Sequence, residues 1–188
     1  MKRLIPLALV AAMALPLFAQ EAEDGEEEQV QQREERRRES NVWPAFIAVS
    51  EFPASPDVLG LRLTIPYSTV QENVTGIDLG LWGRAIYFQG VQVNLLRNDV
   101  KDEMSGFQLG FYNSVGGGQL LGIQAGLFNE ATSLRGAQVG LINLGGEVEG
   151  LQIGLINRSE TMVGYQIGLI NVIRDAELQF FPIINIGW

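Results

Sequence analysis

The sequence predicts an all-β repeat domain made of single-strand units of about 14 residues, stacked as a parallel β-solenoid. Three observations predict it. One eight-residue unit recurs along the chain, side chains within each copy alternate with period two, and turn residues fall between copies. The clearest copies are GIQAGLFN at 122–129, GAQVGLIN at 136–143, GLQIGLIN at 150–157 and GYQIGLIN at 164–171, with GFQLGFYN at 106–113 just before them. Looser copies are GLRLTIPY at 60–67, GIDLGLWG at 76–83 and GVQVNLLR at 90–97, and a degenerate last copy, LQFFPIIN, covers 178–185. A repeat this short has room for a strand and a turn and none for an added helix.

In chain order, residues 1–19 read as a signal peptide. Lys2 and Arg3 precede an apolar run over residues 4–18, and Ala19 offers a small residue for cleavage. The run is too short to span a bilayer, which takes about 20 residues. Residues 20–40 carry nine acids and four bases with two aliphatic side chains, so they read as a charged, disordered linker. Residues 41–59, with Trp43, Phe46 and Phe52, are expected to form an N-terminal cap or a first strand. Residues 60–188 form the β-repeat domain, closed by a C-terminal cap strand.

Alternation divides each unit into two faces. Leu151, Ile153 and Leu155 point one way, and Gln152, Gly154 and Ile156 point the other. The solenoid reading turns the aliphatic face inward, stacking Leu141, Leu155 and Leu169 as a core ladder. Asn113, Asn129, Asn143, Asn157 and Asn171 end their strands and are expected to satisfy turn backbone.

The alternative architecture is an antiparallel up-and-down β-barrel of about ten strands, from Ala45 to Trp188. Such a barrel has unlike turns at its two ends and a natural period of two strands, whereas neighbouring copies here are alike. Its apolar band would also be thin, since three alternate positions span about 14 Å against the ~25 Å band of an outer-membrane barrel. Favouring the barrel are Phe180, Pro182, Ile184, Ile186 and Trp188, which alternate up to the last residue. In the phase of the degenerate copy, they fall on the face that elsewhere holds Gln166 and Gly168.

Composition limits the function. The chain has no cysteine and no histidine, which removes disulfides, thiolate metal sites and the commonest general base and metal ligand. A net charge of -9 argues against a nucleic-acid surface. No catalytic pair, cofactor motif or metal motif is present in the sequence. Asp99, Asp102 and Glu103 share an inserted loop whose spacing matches no calcium motif, and Lys101 opposes a cation there. Gly116, Gly117 and Gly118 lack the Lys-Ser/Thr of a phosphate loop and read as a flexible turn. The one candidate interaction site is the column Gln108, Gln124, Gln138, Gln152 and Gln166. It reads either as a polar strip for an extended polymer such as a glycan, or as amide-to-amide bonding that pins strand register.

The GxQxGLxN units at 106, 122, 136, 150 and 164 resemble bacterial surface-repeat proteins of the leptospiral type. The resemblance implies a secreted or surface location and carries no activity or catalytic residue. The expectation is therefore a non-enzymatic exported envelope or surface protein with a structural or interaction role, in the periplasm, outer membrane or cell surface. Its partner would be an envelope or extracellular component, with a polymer and membrane association both open. The alternative is a small outer-membrane barrel acting as pore or anchor.

Overall fold

The computed structural model describes residues 45–50, 52, 55–68 and 70–188. The expected signal peptide and linker lie outside these residues. Seven strands follow in order: β1 (Ala45–Val49), β2 (Asp57–Thr64), β3 (Gln71–Val100), β4 (Met104–Val139), β5 (Ile142–Ile153), β6 (Ile156–Ile173) and β7 (Phe180–Gly187). They form one sheet in chain order, wound into a β-solenoid of about 8 turns. The pairings from β1 through β6 are parallel, and β7 runs antiparallel to β6. Successive strands of an up-and-down barrel must be antiparallel, so the barrel alternative is overturned.

Register follows the repeat. Gly136 pairs with Gly150 and Gly150 with Gly164, while Gln138 pairs with Gln152 and Gln152 with Gln166. The leading glycine of each coil is there for conformational reasons. Gly136 and Gly150 have φ of 140° and 143°, where an L side chain is strained, and the six equivalent glycines share this conformation. Longer coils are accommodated by stacking their extra residues: Gly117 N donates to Lys101 O at 2.6 Å and Gly118 N to Asp102 O at 3.3 Å. The Asp99–Glu103 insertion is thus partly built into the ladder, with Asp99 3.5 Å from Arg97.

The two ends differ from the middle. β1 is a first strand, pairing Ile47 with Leu61 and Val49 with Leu63. The degenerate copy at 178–185 is not a further parallel coil. β7 returns antiparallel, setting Ile186 opposite Tyr165, Asn185 opposite Gln166 and Ile184 opposite Ile167. Ile184 and Ile186 therefore lie on the face of Tyr165 and Ile167, which corrects the phase expected from the sequence. The reversal inverts the chain direction while keeping like side chains together.

The interior is narrow and divided. An apolar column two residues before each leading glycine includes Val74, Phe88, Met104, Leu120, Leu134, Val148 and Met162, all buried. A second column holds Ala85, Val100, Val115, Ala131 and Ile173. The remaining interior is polar, which reverses the expected orientation. Leu141, Leu155 and Leu169 are 45%, 50% and 66% exposed, whereas every glutamine of the ladder is 0% exposed.

Candidate interaction face

The motif GxQxGLxN is a recipe for two buried amide ladders. Gln108, Gln124, Gln138, Gln152 and Gln166 each donate from Nε2 to the Oε1 of the glutamine one coil earlier, at 2.7–3.0 Å. Each of the last four also crosses its own coil to the carbonyl six residues on, as Gln138 does to Leu144 at 3.2 Å. Burying an unpaired amide is costly, but a stacked amide finds donor and acceptor at the spacing of the sheet itself. The glutamines therefore pin register, and being buried they present no strip to a polymer.

The asparagines form a second ladder with the opposite polarity. Asn98 Nδ2 donates to Asn113 Oδ1, and the chain of bonds continues through Asn129, Asn143 and Asn157 to Asn171 at 2.7–2.8 Å. Asn129, Asn143 and Asn157 also donate to the carbonyls of Val139, Ile153 and Ile167. Their expected role at turns is thus replaced by cross-coil bonding inside. The second glycine of the motif clears space for this ladder. A methyl group at Gly154 would lie 2.6 Å from Asn143 Nδ2 and 2.5 Å from the Gly140 carbonyl.

At its first coils the glutamine column ends in charge. Asp78 Oδ2 accepts from Gln92 at 2.9 Å, Asn94 at 3.0 Å and Arg62 at 2.7 Å. Arg62 is also held by Gln71 Oε1 at 2.9 Å and the Arg84 carbonyl at 2.8 Å. All the donors of the glutamine ladder point toward this carboxylate.

With polar side chains inside, the aliphatic positions turn outward. Counting from each leading glycine, positions one, three and five across the eight coils from Gly60 to Gly164 are 24 residues. Tyr165 is the one carrying a polar atom, none of the 24 is charged, and none is buried. β1 extends the rows with Ile47 and Val49, and β7 with Ile186 and Ile184, all exposed. A shallow groove of about 660 Å³ runs between the row of Val139, Ile153 and Ile167 and the row of Leu127, Leu141, Leu155 and Leu169.

Arginine and aromatic side chains border this face near its first coils. Arg84 lies 5.4 Å from the Trp82 ring and 5.9 Å from Tyr67, and Arg97 lies 4.8 Å from Tyr112 and 5.7 Å from Trp82. Further charges lie outside these rows, with Arg135 paired to Glu149 at 3.0 Å and Glu160 to Arg158 and Arg174 at 2.9 and 3.1 Å. The exterior is therefore amphipathic.

The apolar exterior was missed by the sequence reading, although the signal existed. Every residue at position two of the eight coils, from Arg62 and Asp78 through the glutamines, can hydrogen-bond, as a stacked interior column requires. No protein-family model, no curated protein and no solved structure matches the chain.

Proposed function

We propose that this chain is a non-enzymatic, exported repeat protein of the bacterial envelope or cell surface, whose role is structural and interactive and is carried by the apolar face. The single observation that carries the interaction role is the array of 24 outward positions without a charge. An exposed patch of that size is a contact surface in waiting, since soluble monomers rarely leave more than a few hundred Å² of contiguous apolar surface to water. Export is supported by the apolar run over residues 4–18, and the surface location by the resemblance of the GxQxGLxN units. The non-enzymatic reading is supported by a sequence with neither histidine nor cysteine, and by buried amides already bonded to one another. The interaction role moves from the glutamines, where a polymer site was expected, to the aliphatic rows.

Cell fractionation tests this reading. The parent chain is expected in the envelope fraction without Met1. The Leu141→Asp/Leu155→Asp pair should melt like the parent at dilutions where association is absent, yet leave that fraction. Retention of Met1 in the cytosol would refute export, and a pair variant still held in the envelope would refute the face.

A further inference from the structure

We infer that the occupant of the apolar face is a second copy of the same chain, the two solenoids packing sheet against sheet. This rests on the interaction role proposed for that face and names its partner.

Area is the first argument. With β1, eight coils and β7 side by side, and three outward rows per coil, the face measures roughly 45 Å by 15 Å, or about 700 Å². A stable protein interface of ordinary size buries about 800 Å² per partner. One copy thus offers nearly the whole area a dimer needs, on a surface that a two-fold axis can make complementary to itself.

Shape is the second. The rows led by Ile153 and Leu155 stand on either side of a furrow closed at one end by Ile183. Two sheets packed face to face lie about 10 Å apart with inner side chains interdigitated, so a ridge of one copy fills a furrow of the other.

Charge is the third, and it favours protein over lipid. A surface lying on a bilayer is usually fringed with Lys and Arg that meet anionic headgroups. Here Lys101 is the single lysine among the described residues, acids outnumber bases there by twelve to seven, and the bordering arginines Arg84 and Arg97 are held over aromatic rings. The arginine–aromatic cluster at Trp82, Tyr112, Arg84 and Arg97 has the composition found at protein interfaces. The charged pairs Arg135–Glu149 and Arg174–Glu160 lie outside the three rows and are exposed.

Sedimentation of the purified full chain, together with single-cysteine crosslinking, tests the inference. The parent should sediment as a dimer, and Leu141→Asp/Leu155→Asp should weaken association about 100-fold or more, as expected for placing two unpaired charges in an apolar interface. Because the chain has no cysteine of its own, Leu109→Cys and Ala125→Cys, on the middle row at the centre of the face, report contacts cleanly. A thiol-to-thiol crosslinker of about 10 Å reach, the spacing of packed sheets, should link two copies through these positions and not through Glu147→Cys, which lies outside the three rows. A parent that stays monomeric and gives no such crosslink overturns the dimer. So does a monomer that co-sediments with phosphatidylcholine vesicles, which would make lipid the occupant. If the aspartate pair still leaves the envelope fraction while the purified parent is monomeric, the dimer fails and the interaction role of the face stands.

Discussion

Arg62 and Asp78 form an ion pair at 2.7 Å with both side chains wholly buried, at the point where the glutamine ladder reaches its first coils. The pair is tied into the amide network without being saturated, since Arg62 Nε and Asp78 Oδ1 lack partners. Asp78→Asn should therefore cost about 3–5 kcal/mol, because it leaves a guanidinium buried without its counter-charge. The double change Arg62→Gln/Asp78→Gln extends the ladder with neutral amides and should recover most of that loss. Thermal or urea melting of the single and the double variant checks both.

Gln152 and Leu155 should exchange the sensitivities that an aliphatic interior would give them. Gln152→Ala strands the Oε1 of Gln138 and opens a cavity among buried amides, for a cost of about 2–4 kcal/mol. Leu155→Asp places its carboxylate on the outside and should cost under about 1 kcal/mol of fold stability in the monomer. Equilibrium unfolding at dilutions where association is absent separates the two. A greater loss for Leu155→Asp would contradict the outward assignment.

Gly154 tests the clearance beneath the asparagine ladder. Gly154→Ala drives a methyl group to 2.6 Å from Asn143 Nδ2 and against the Gly140 carbonyl, with backbone on one side that cannot swing away. A loss of about 1–3 kcal/mol, typical of overpacking, is expected. Amide hydrogen exchange should show it first in the coils on either side, since each coil packs on its neighbours.

Tyr112 gives the fold a pH dependence at the alkaline end. Burial raises its phenol pKa above the usual 10.0, assisted by the hydrogen bond it donates to the Glu130 carboxylate and by that group's charge, with Arg97 opposing. A pKa raised in the folded state means stabilisation that is fully present below pH 10 and lost as pH rises through the folded value. Melting temperature should fall above pH 10, and Tyr112→Phe should reduce that decline at the cost of a small loss in the neutral range from the missing hydrogen bond to Glu130.

The period, the strand type and the parallel stacking were legible because each rests on spacing. Equivalent residues 14 apart pair in register, as Gln152 does with Gln166. The direction of the faces was not legible in the same way. Alternation is unchanged when the two faces are exchanged, so Leu155 and Gln152 could be told apart only by assuming that leucine is inside. That assumption holds for single glutamines, whose burial is costly, and fails for a column of them. Asn143 was misplaced for a related reason: its value lies in its copies at 129 and 157, and no local rule contains them. Asn185 was obscured by the reversal of β7, which brings it opposite Gln166 from the other direction.

The opposed polarity of the two ladders bears on how long such a protein can be. In an α-helix peptide dipoles add head to tail, leaving partial charge at both ends. Here glutamine N–H groups point toward the first coil and asparagine N–H groups toward the last, so the two strings largely cancel. An added coil brings one dipole of each sense and no extra charge at the ends. Arg62 and Asp78 close one end, and the Phe181 carbonyl receives Asn171 at the other, at 3.1 Å, whatever number of coils lies between. Whole-coil duplication or deletion between Gly122 and Gly164 then leaves the interior amide dipoles balanced. Coil number becomes a free variable through which such proteins can gain or lose reach in fixed steps of about 4.8 Å.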